Sequence, residues 1–280
     1  MMGLKRVSTP GVSWSVTDVP ALATAIRLRA VEMVAPHGFG YLGQALSSAE
    51  QVAAVFAEIR PGKDRLVCSP GHYIIAPFAA AIELGLMDPA ALTTYGEDGS
   101  PVEAIGTENS PVVDYTCGSL AQGLSAALGL ALGDRLHGSD ARTFVLISDG
   151  EMEEGQLWEA AIFAAHHRLG SVVVLLDANN SQVDGPVDSI TTLEPIADKW
   201  RAFGWGVHDI DGHDAAAVVS ALSAAVGVTD KPSVVIARTS TVHGLDCLPE
   251  NADGHFIKLP PALAGAALRE LTRRLEAQNA

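Results

Sequence analysis

Residues 143–181 read TFVLISDGEMEEGQLWEAAIFAAHHRLGSVVVLLDANNS, and this stretch decides the fold. It contains two unbroken runs rich in β-branched side chains, TFVLIS at 143–148 and SVVVLLD at 171–177, with an amphipathic segment between them. Such runs are typical of strands that are buried on both faces of a parallel sheet. A strand, a helix and a second strand in this order predict one repeating unit of an α/β fold.

The rest of the chain continues this alternation of strand and helix. Further apolar runs predict strands at RLVCS (65–69), GWGVHDI (204–210) and SVVIART (233–239). Helices are predicted at 17–35, after a Thr17-Asp18 cap, and near 48–58, 72–86, 119–136, 151–169, 194–203, 214–226 and 261–277. The stretches predicted to be loop or irregular are PHGFGYLGQ (36–44) and 88–116. We therefore predict an α/β fold with a doubly wound, mostly parallel sheet that is flanked by helices.

Domain organisation is expected to be simple. Residues 1–16 are polar and interrupted by Gly and Pro, which predicts an N-terminal arm. No internal repeat and no low-complexity linker divides the remainder, so residues 17–280 are expected to form a single domain.

Composition limits what the chain can bind. The net charge is −15 with no run of Lys or Arg, which argues against nucleic acid or an anionic membrane as a partner. The sequence has no apolar run of about 18 residues and no visible secretory signal, so no membrane span is expected. The three cysteines, Cys68, Cys117 and Cys247, lack metal-ligand spacing, which fits a reducing, cytoplasmic compartment.

Polar residues follow both strands of the opening stretch. Ser148-Asp149-Gly150 ends the first and Ala178-Asn179-Asn180-Ser181 ends the second. Ligands of such sheets bind beyond the carboxyl ends of the strands, where these residues lie side by side if the strands are adjacent. A carboxylate, an amide oxygen and a backbone carbonyl are the hard ligands that Mg²⁺ takes, and a glycine lets a bulky anion approach. These residues predict a metal–diphosphate site; a strand-end Asp and a turn Asn without a ligand are the alternative.

Several motifs stand in a fixed order along the chain. Around the strand ends these are Asp149, Gly150, Glu151, Glu154, Gly155, Asn179, Asp184 and Gly185. Longer stretches are SPGH (69–72), GSLAQGLSAALGLAL (118–132) and LEPIADKW (193–200). The first set resembles the thiamine diphosphate motif, with Ser148 where the motif usually begins with Gly, and the stretches are similar to the N-terminal third of transketolases. The resemblance covers about residues 22–240 and implies a thiamine diphosphate-binding fold.

The resemblance also implies roles for single residues. The metal ligands, to Mg²⁺ or to Ca²⁺ or Mn²⁺, would be the side chains of Asp149 and Asn179 and the backbone carbonyl of Ser181. The cofactor would be contacted by Gly118, Leu120, Gly150, His72 and His255. The catalytic positions would be His72 near the thiazolium, Glu154 reaching across a subunit interface, and Tyr41.

The chain departs from the family at two substrate positions. Tyr41 stands where the family has a substrate-contacting histidine, and a second family histidine falls around Ala104-Ile105. The family's histidines bind donor hydroxyls and assist proton movements, so their loss puts the usual sugar phosphate donor in doubt. The alternative for Tyr41 is a ring that only packs its loop.

The length of the chain indicates that a second subunit is needed. Complete transketolases carry two more domains, which supply the glutamate that activates the cofactor. The resemblance therefore implies the N-terminal subunit of a split transketolase, joined by a separate subunit with the pyrimidine-binding and C-terminal domains, in an α2β2 assembly. The expected reaction is transfer of a two-carbon unit from a ketose-like sugar or keto donor to an aldehyde. The alternatives are an acyl-transferring or decarboxylating subunit that uses a 2-oxo acid such as pyruvate, and a non-catalytic regulatory subunit that binds thiamine diphosphate.

Overall fold

The computed structural model describes residues 5–11, 13–249, 252 and 254–280. The strands are β1 (Phe39–Gly40), β2 (Arg65–Pro70), β3 (Tyr115–Cys117), β4 (Thr143–Ser148), β5 (Val172–Ala178), β6 (Ser181–Gln182), β7 (Gly185–Pro186), β8 (Gly206–Asp211), β9 (Ser233–Arg238) and β10 (Ile257–Lys258). The helices are α1 (Val19–Val34), α2 (Leu42–Glu58), α3 (Ile75–Glu83), α4 (Ala91–Thr94), α5 (Gln122–Leu136), α6 (Gly155–His166), α7 (Val187–Ile190), α8 (Ile196–Ala202), α9 (Ala215–Gly227) and α10 (Pro261–Gln278).

The long strands form one parallel sheet. Its order within the described residues is β3-β2-β4-β5-β9-β8. Strands β4 and β5 are direct neighbours, and Ser148 lies opposite Asp177 near their carboxyl ends. Two short antiparallel pairs, β1 with β10 and β6 with β7, lie outside this sheet. The predicted doubly wound α/β fold is confirmed.

Alternate side chains of each strand enter two separate hydrophobic cores. Phe144 and Leu146 pack in the core that includes α1, α2, α3, α9 and α10, whereas Val145 and Ile147 pack in the core that includes α5, α6 and α8. Both faces of the sheet are therefore covered by helices. This double burial explains why the strands appear in the sequence as unbroken apolar runs.

Four helices, α2, α3, α5 and α6, begin three or more residues away from their predicted starts. Helix α2 begins at Leu42 rather than near residue 48, because the buried stripe of Leu42, Leu46 and Ala49 continues through it. Helix α5 begins at Gln122 rather than 119, because Ala121 has a left-handed φ of 62°. Helix α6 begins at Gly155 rather than 151, because a 3₁₀ turn precedes it.

The region around β3 also differs from the prediction. Residues 115–117, predicted to lie in an irregular segment or just after it, pair with β2 at the edge of the sheet. A strand of three residues is too short to show a period of its own. Helix α3 spans only Ile75–Glu83 because residues 71–73, which include His72, form a 3₁₀ turn before it.

The described part of the N-terminal arm packs on the body of the protein. The Arg6 guanidinium donates hydrogen bonds to the carbonyls of Asp114 and Glu108, Val7 is buried, and the indole of Trp14 donates to the Phe56 carbonyl. Residues 1–4 and 12 of the arm lie outside the described residues. The division into an arm and a single domain stays a prediction. Among the described residues, no helix has the length and apolar character to cross a membrane.

Two glycines of α5 differ in how much space surrounds them, because only one of them faces the end of β2. A Cβ on Gly123 would lie 2.4 Å from Ser69 Cα, whereas a Cβ on Gly129 would meet nothing within 4 Å. We expect Gly123→Ala to lower the free energy of unfolding by about 1–3 kcal/mol through overpacking. Gly129→Ala should raise it by about 0.5–1 kcal/mol, because alanine loses less backbone entropy in a helix. Urea denaturation of both variants checks this; effects of the same sign would contradict the packing.

Candidate functional site

The candidate site lies at the carboxyl ends of β4 and β5. Asp149 directly follows β4 and Asn179 directly follows β5, and the backbone N–H of Asp149 donates to the Asp177 carbonyl at 3.1 Å. Both polar side chains are buried. The adjacency that the sequence predicts for these two residues is present.

Asp149 is a buried carboxylate held by backbone donors. Its Oδ1 accepts from the Gly150 N–H at 2.9 Å and its Oδ2 from the Asn180 N–H at 2.6 Å. Burial, and after it the charge of Asp177, raises the pKa of Asp149 to about 7. A divalent cation beside this carboxylate would oppose both effects and favour its ionised form.

Asn179 is oriented by its hydrogen bonds. Its Nδ2 donates to Asp177 Oδ2 at 2.7 Å and to the Tyr73 hydroxyl at 2.9 Å, while its Oδ1 accepts from the Ser181 N–H at 2.9 Å. Because a carboxylate only accepts, the amide cannot be turned the other way round without losing these bonds. The side chain therefore keeps its oxygen on the side of Ser181, as a ligand to a hard cation requires.

The carboxylate of Asp177 anchors this arrangement. Five side chains donate to it: Ser47 at 2.5 Å, Thr239 at 2.5 Å, Asn179 at 2.7 Å, Tyr73 at 2.8 Å and Gln51 at 3.2 Å. Burial raises its pKa, and these hydrogen bonds act in the opposite direction. Asp177 is not among the residues predicted from the sequence, although a charged residue at the end of the apolar run SVVVLLD is an available signal.

Glu151 is a second buried carboxylate that joins neighbouring elements. Its Oε1 accepts from the Ser69 hydroxyl and the Ala121 N–H, both at 2.7 Å, and its Oε2 lies 3.2 Å from the Ser148 N–H. It thus ties the ends of β2 and β4 to the start of α5. The N–H of Ala121, directly before α5, is therefore bound within the protein.

The predicted cofactor glycines lie beside open space. A Cβ on Gly150 would meet only Gln182 Cβ, at 3.7 Å, and a Cβ on Gly118 only Ile105 Cγ2, at 3.4 Å. Gly118 is exposed, and Leu120 and Gly150 are partly buried. The backbone at both glycines is therefore accessible to a ligand, and the set of oxygen donors fits a divalent metal with a diphosphate.

Tyr41, His72 and His255, which we call the Tyr41 cluster, come together from three distant parts of the chain. Ring centroids are 5.1 Å apart for Tyr41 and His72, 5.1 Å for His72 and His255, and 5.8 Å for Tyr41 and His255. Gln44 Nε2 donates to the His255 carbonyl at 2.9 Å and lies 3.3 Å from its Nδ1. Burial, and then His255, lowers the pKa of His72 to about 3, so this imidazole is neutral near pH 7.

Glu154 lies apart from the buried carboxylates. It is exposed at the start of α6, and its backbone N–H donates to the Glu151 carbonyl at 3.1 Å. Its expected reach across a subunit interface stays a prediction.

A second group of side chains, outside the candidate site, has the spacing of metal ligands. The ring proton of its His213 lies on the nitrogen that a metal would need. One ligand atom each of Glu50, His213 and His243 lie within 4.8 Å of one another. His213 Nε2 accepts from the Ser240 N–H at 2.8 Å, which places the ring proton on Nδ1, the nitrogen 3.4 Å from Glu50 Oε2. Arg27 also lies 2.6 Å from this carboxylate. An N–H directed at the carboxylate and a guanidinium both oppose a cation, so Glu50 forms a buried ion pair with Arg27 rather than a metal site.

Comparison with known proteins connects this geometry to a family. The family model described as transketolase, thiamine diphosphate binding domain, matches residues 19–260. The chain belongs to the transketolase family. The predicted thiamine diphosphate cofactor is confirmed by this match, and the predicted transferase class is confirmed by the relatives described next.

Relatives of two lengths match the chain. A 6-deoxy-6-sulfo-D-fructose transketolase subunit of Clostridium sp. (strain MSTE9) is 36% identical over 266 residues, covering 91% of this chain and 97% of that protein. One of the subunits of the apulose-4-phosphate transketolase of Phocaeicola vulgatus is 29% identical, covering 89% and 92%. Human transketolase-like protein 2 is 31% identical, but this chain spans 42% of its length.

Solved transketolases share the fold. The enzyme of Campylobacter jejuni superposes with a TM-score of 0.83 at 24% identity, over 92% of this chain and 43% of that one. A transketolase of Pichia stipitis gives 0.78 at 25% identity, over 95% and 45%. By family and by length the chain corresponds to the N-terminal subunit of a split, transketolase-like enzyme, as the sequence predicts.

The hydrogen bonds of Asp177 can be tested with one substitution. Asp177→Asn replaces one carboxylate oxygen by an N–H₂ group, which cannot accept from the side chains that donate to Asp177. At least one charge-assisted hydrogen bond is therefore lost. We expect the free energy of unfolding to fall by about 1.5–3 kcal/mol. Thermal or urea denaturation measures this, with exposed Asp230→Asn as the matched control that changes little. Equal stability of the two variants would show that the carboxylate does not organise the site.

Proposed function

We propose that this chain supplies the diphosphate-binding half of the active site in a two-component enzyme. The enzyme transfers a two-carbon unit from a ketose-like donor to an aldehyde acceptor. The observation that carries the proposal is the pair of buried oxygen ligands, Asp149 and Asn179, fixed side by side at the ends of adjacent strands. Burial makes the Asp149 charge costly, and a bound divalent cation would offset that cost.

The cofactor would be held by this chain through its metal and its diphosphate. Asp149, Asn179 and the backbone carbonyl of Ser181 would ligate Mg²⁺, or Ca²⁺ or Mn²⁺ in its place. Gly150, Gly118 and Leu120 would lie against the diphosphate and its neighbouring groups. Thiamine diphosphate, when bound, supplies the carbon centre to which the two-carbon unit is attached.

The Tyr41 cluster would act on the substrate. His72 is neutral near pH 7, so it can donate a hydrogen bond from one ring nitrogen and accept one at the other. Gln44 places a donor against His255 Nδ1, which favours the proton of that ring on Nε2. The Tyr41 hydroxyl can donate one hydrogen bond to a substrate oxygen, but phenols ordinarily keep their proton at neutral pH. The Tyr41 cluster would therefore bind and orient substrate oxygens, and groups of the partner would move protons.

The second component would be a separate subunit with the pyrimidine-binding and C-terminal domains, in an α2β2 assembly. The named subunits that resemble this chain are of similar length, whereas it spans about two fifths of the longer relatives. Exposed apolar side chains on α5 and α6, at Leu136, Ile162 and Phe163, would suit a subunit interface. Glu154 at the start of α6 would meet the partner there. Free cysteines at positions 68, 117 and 247 fit a cytoplasmic location.

The donor is proposed to carry fewer hydroxyls than an ordinary ketose phosphate. Ile105 is 42% exposed and lies against Gly118, where this chain offers an apolar surface to the substrate. The ring of Tyr41 is longer and more apolar than the imidazole that the family has at this position. The same two features favour the second candidate, transfer from a 2-oxo acid such as pyruvate, because its methyl group needs no hydrogen-bond partner.

The partner requirement is the first test. The purified chain with thiamine diphosphate and Mg²⁺ should show no ketol transfer, because the glutamate that activates the pyrimidine ring is expected from the partner. Adding the protein encoded beside it should restore transfer to an aldehyde, and analysis of the product measures this transfer. A panel of ketose phosphates, deoxyketoses and pyruvate then separates the two donor classes. Robust turnover by this chain alone would refute the two-component proposal.

The metal ligands are tested by binding. Asp149→Ala removes a charged ligand and Asn179→Ala a neutral one, so cofactor affinity of the assembled complex should fall in both and further in Asp149→Ala. Loss of a charge-assisted contact costs roughly 1.5–3 kcal/mol, and direct ligation should exceed this. Calorimetry with thiamine diphosphate measures the loss, high Mg²⁺ should reverse part of it, and Asp230→Ala is the control. Unchanged affinity in both variants rejects the assignment.

A further inference from the structure

The described part of the N-terminal arm lies along residues 106–118, which we call the Gly118 segment because its last residue is a proposed cofactor contact. The arm and the segment meet at Val112. The N–H of Val112 donates to the Lys5 carbonyl, and the N–H of Val7 donates to the Val112 carbonyl, both at 3.1 Å. Both polar backbone groups of Val112 are therefore bonded to the arm.

Val112 has a strained backbone conformation. Its φ is 76°, in the left-handed region that β-branched residues avoid because Cβ crowds the backbone there. Its side chain is buried in the same core as α1 and α2. Strain of this kind persists only where surrounding contacts hold it, and it is concentrated in proteins at ligand-binding and active sites. The backbone bonds to the arm are contacts that hold Val112 in this conformation.

Two side chains of the arm bond to the segment at further points. The Arg6 guanidinium donates to the carbonyls of Glu108 at 3.2 Å and Asp114 at 3.0 Å, and the Ser8 hydroxyl donates to the Asp114 carboxylate. The other carboxylate oxygen of Asp114 accepts from the Leu66 N–H of β2 at 2.9 Å. The arm and the edge of the sheet therefore hold the same residue of the segment.

The Gly118 segment contacts two parts of the candidate site. At its start, the N–H of Gly106 donates to the Gly71 carbonyl at 2.8 Å, next to His72. Near its end, the carbonyl oxygen of Cys117 would lie 2.5 Å from a Cβ on Gly71, so the turn that carries His72 packs closely on the segment. The segment then ends at Gly118, whose backbone is accessible to a ligand. A change in the segment would therefore reach both the proposed cofactor contact and the His72 turn.

We propose that the N-terminal arm, through Arg6 and its backbone bonds to Val112, holds the Gly118 segment in the conformation that binds the cofactor. Arg6 is thus a positioning residue, which acts through Gly118 and the His72 turn. Cofactor binding and ordering of the arm are then coupled, and by linkage each stabilises the other. The proposal rests on the cofactor contacts proposed above.

The coupling is measured in the wild-type two-subunit complex by hydrogen exchange, with and without thiamine diphosphate and Mg²⁺. We expect the cofactor to slow exchange in two peptides, residues 5–10 of the arm and residues 108–118, because binding stabilises the contact between them. Residues 13–17 belong to the same arm and should show no change. Slower exchange around Asp149 with unchanged exchange in residues 5–10 would overturn the proposal, and this measurement needs no variant.

Arg6→Ala tests whether the arm itself carries the coupling. Loss of the bonds to the two carbonyls should speed exchange in residues 108–118 about tenfold, the order of one charge-assisted hydrogen bond. The apparent affinity for thiamine diphosphate should fall about two- to tenfold, because a smaller fraction of the complex has the segment in its binding conformation. At saturating cofactor kcat should be unchanged, since the bound cofactor restores that conformation. Arg6→Lys keeps the charge without the planar fork and should recover part of the affinity.

Trp14→Phe is the matched control. It removes one hydrogen bond from the same arm, the bond to the Phe56 carbonyl, and leaves those to the Gly118 segment in place. It should change neither the exchange of residues 108–118 nor the cofactor affinity. If Arg6→Ala lowers the affinity no more than Trp14→Phe, the arm has a structural role only and the proposal is overturned. If the wild-type complex binds no thiamine diphosphate, the proposed function fails, and this proposal falls with it.

Discussion

The burial of the Asp177 carboxylate is the constraint on which the site depends. A carboxylate among apolar side chains is tolerated only when its oxygens are satisfied, and here five donors satisfy them. Those donors come from α2, the turn after β2, the end of β5 and the end of β9. Each of these elements is thereby fixed relative to the others, and the amide of Asn179 acquires a single orientation.

The same edge of the sheet gathers two further buried carboxylates. Burial raises the pKa of Asp149 and of Glu151 to about 7, and Asp177 adds to the effect on Asp149. Glu151 is satisfied by donors from three neighbouring segments, so its role is to hold the edge together. Asp149 is held by two backbone N–H groups and lies next to open space at Gly150. The open space beside Gly150 is therefore what distinguishes Asp149, the proposed metal ligand, from Glu151.

The strands and the adjacency of Asp149 and Asn179 could be predicted because they depend on local patterns. Unbroken apolar runs indicate strands that are buried on both faces of the sheet, and parallel strands bring their carboxyl ends to one edge of it. The Tyr41 cluster is different, since Tyr41 and His255 are more than two hundred positions apart and only the resemblance to a family linked them. Asp177 escaped prediction because its partners are spread over the chain and none is close in sequence except Asn179. The start of α5 depends on the left-handed backbone conformation of a single residue, Ala121, and no pattern of side chains predicts that conformation.

The short pair of β1 and β10 lies outside the main sheet and joins Phe39 to Lys258 and Gly40 to Ile257. Tyr41 follows one of its strands, and His255 and Phe256 precede the other. The residues that we propose to face the substrate therefore adjoin a short strand pair outside the main sheet, whereas the proposed metal ligands adjoin strands of the sheet itself. Substitutions at Tyr41 or Phe256 would therefore leave the strand ends that carry Asp149 and Asn179 in place, provided that Gly43 and Gly254, whose backbones touch, stay small.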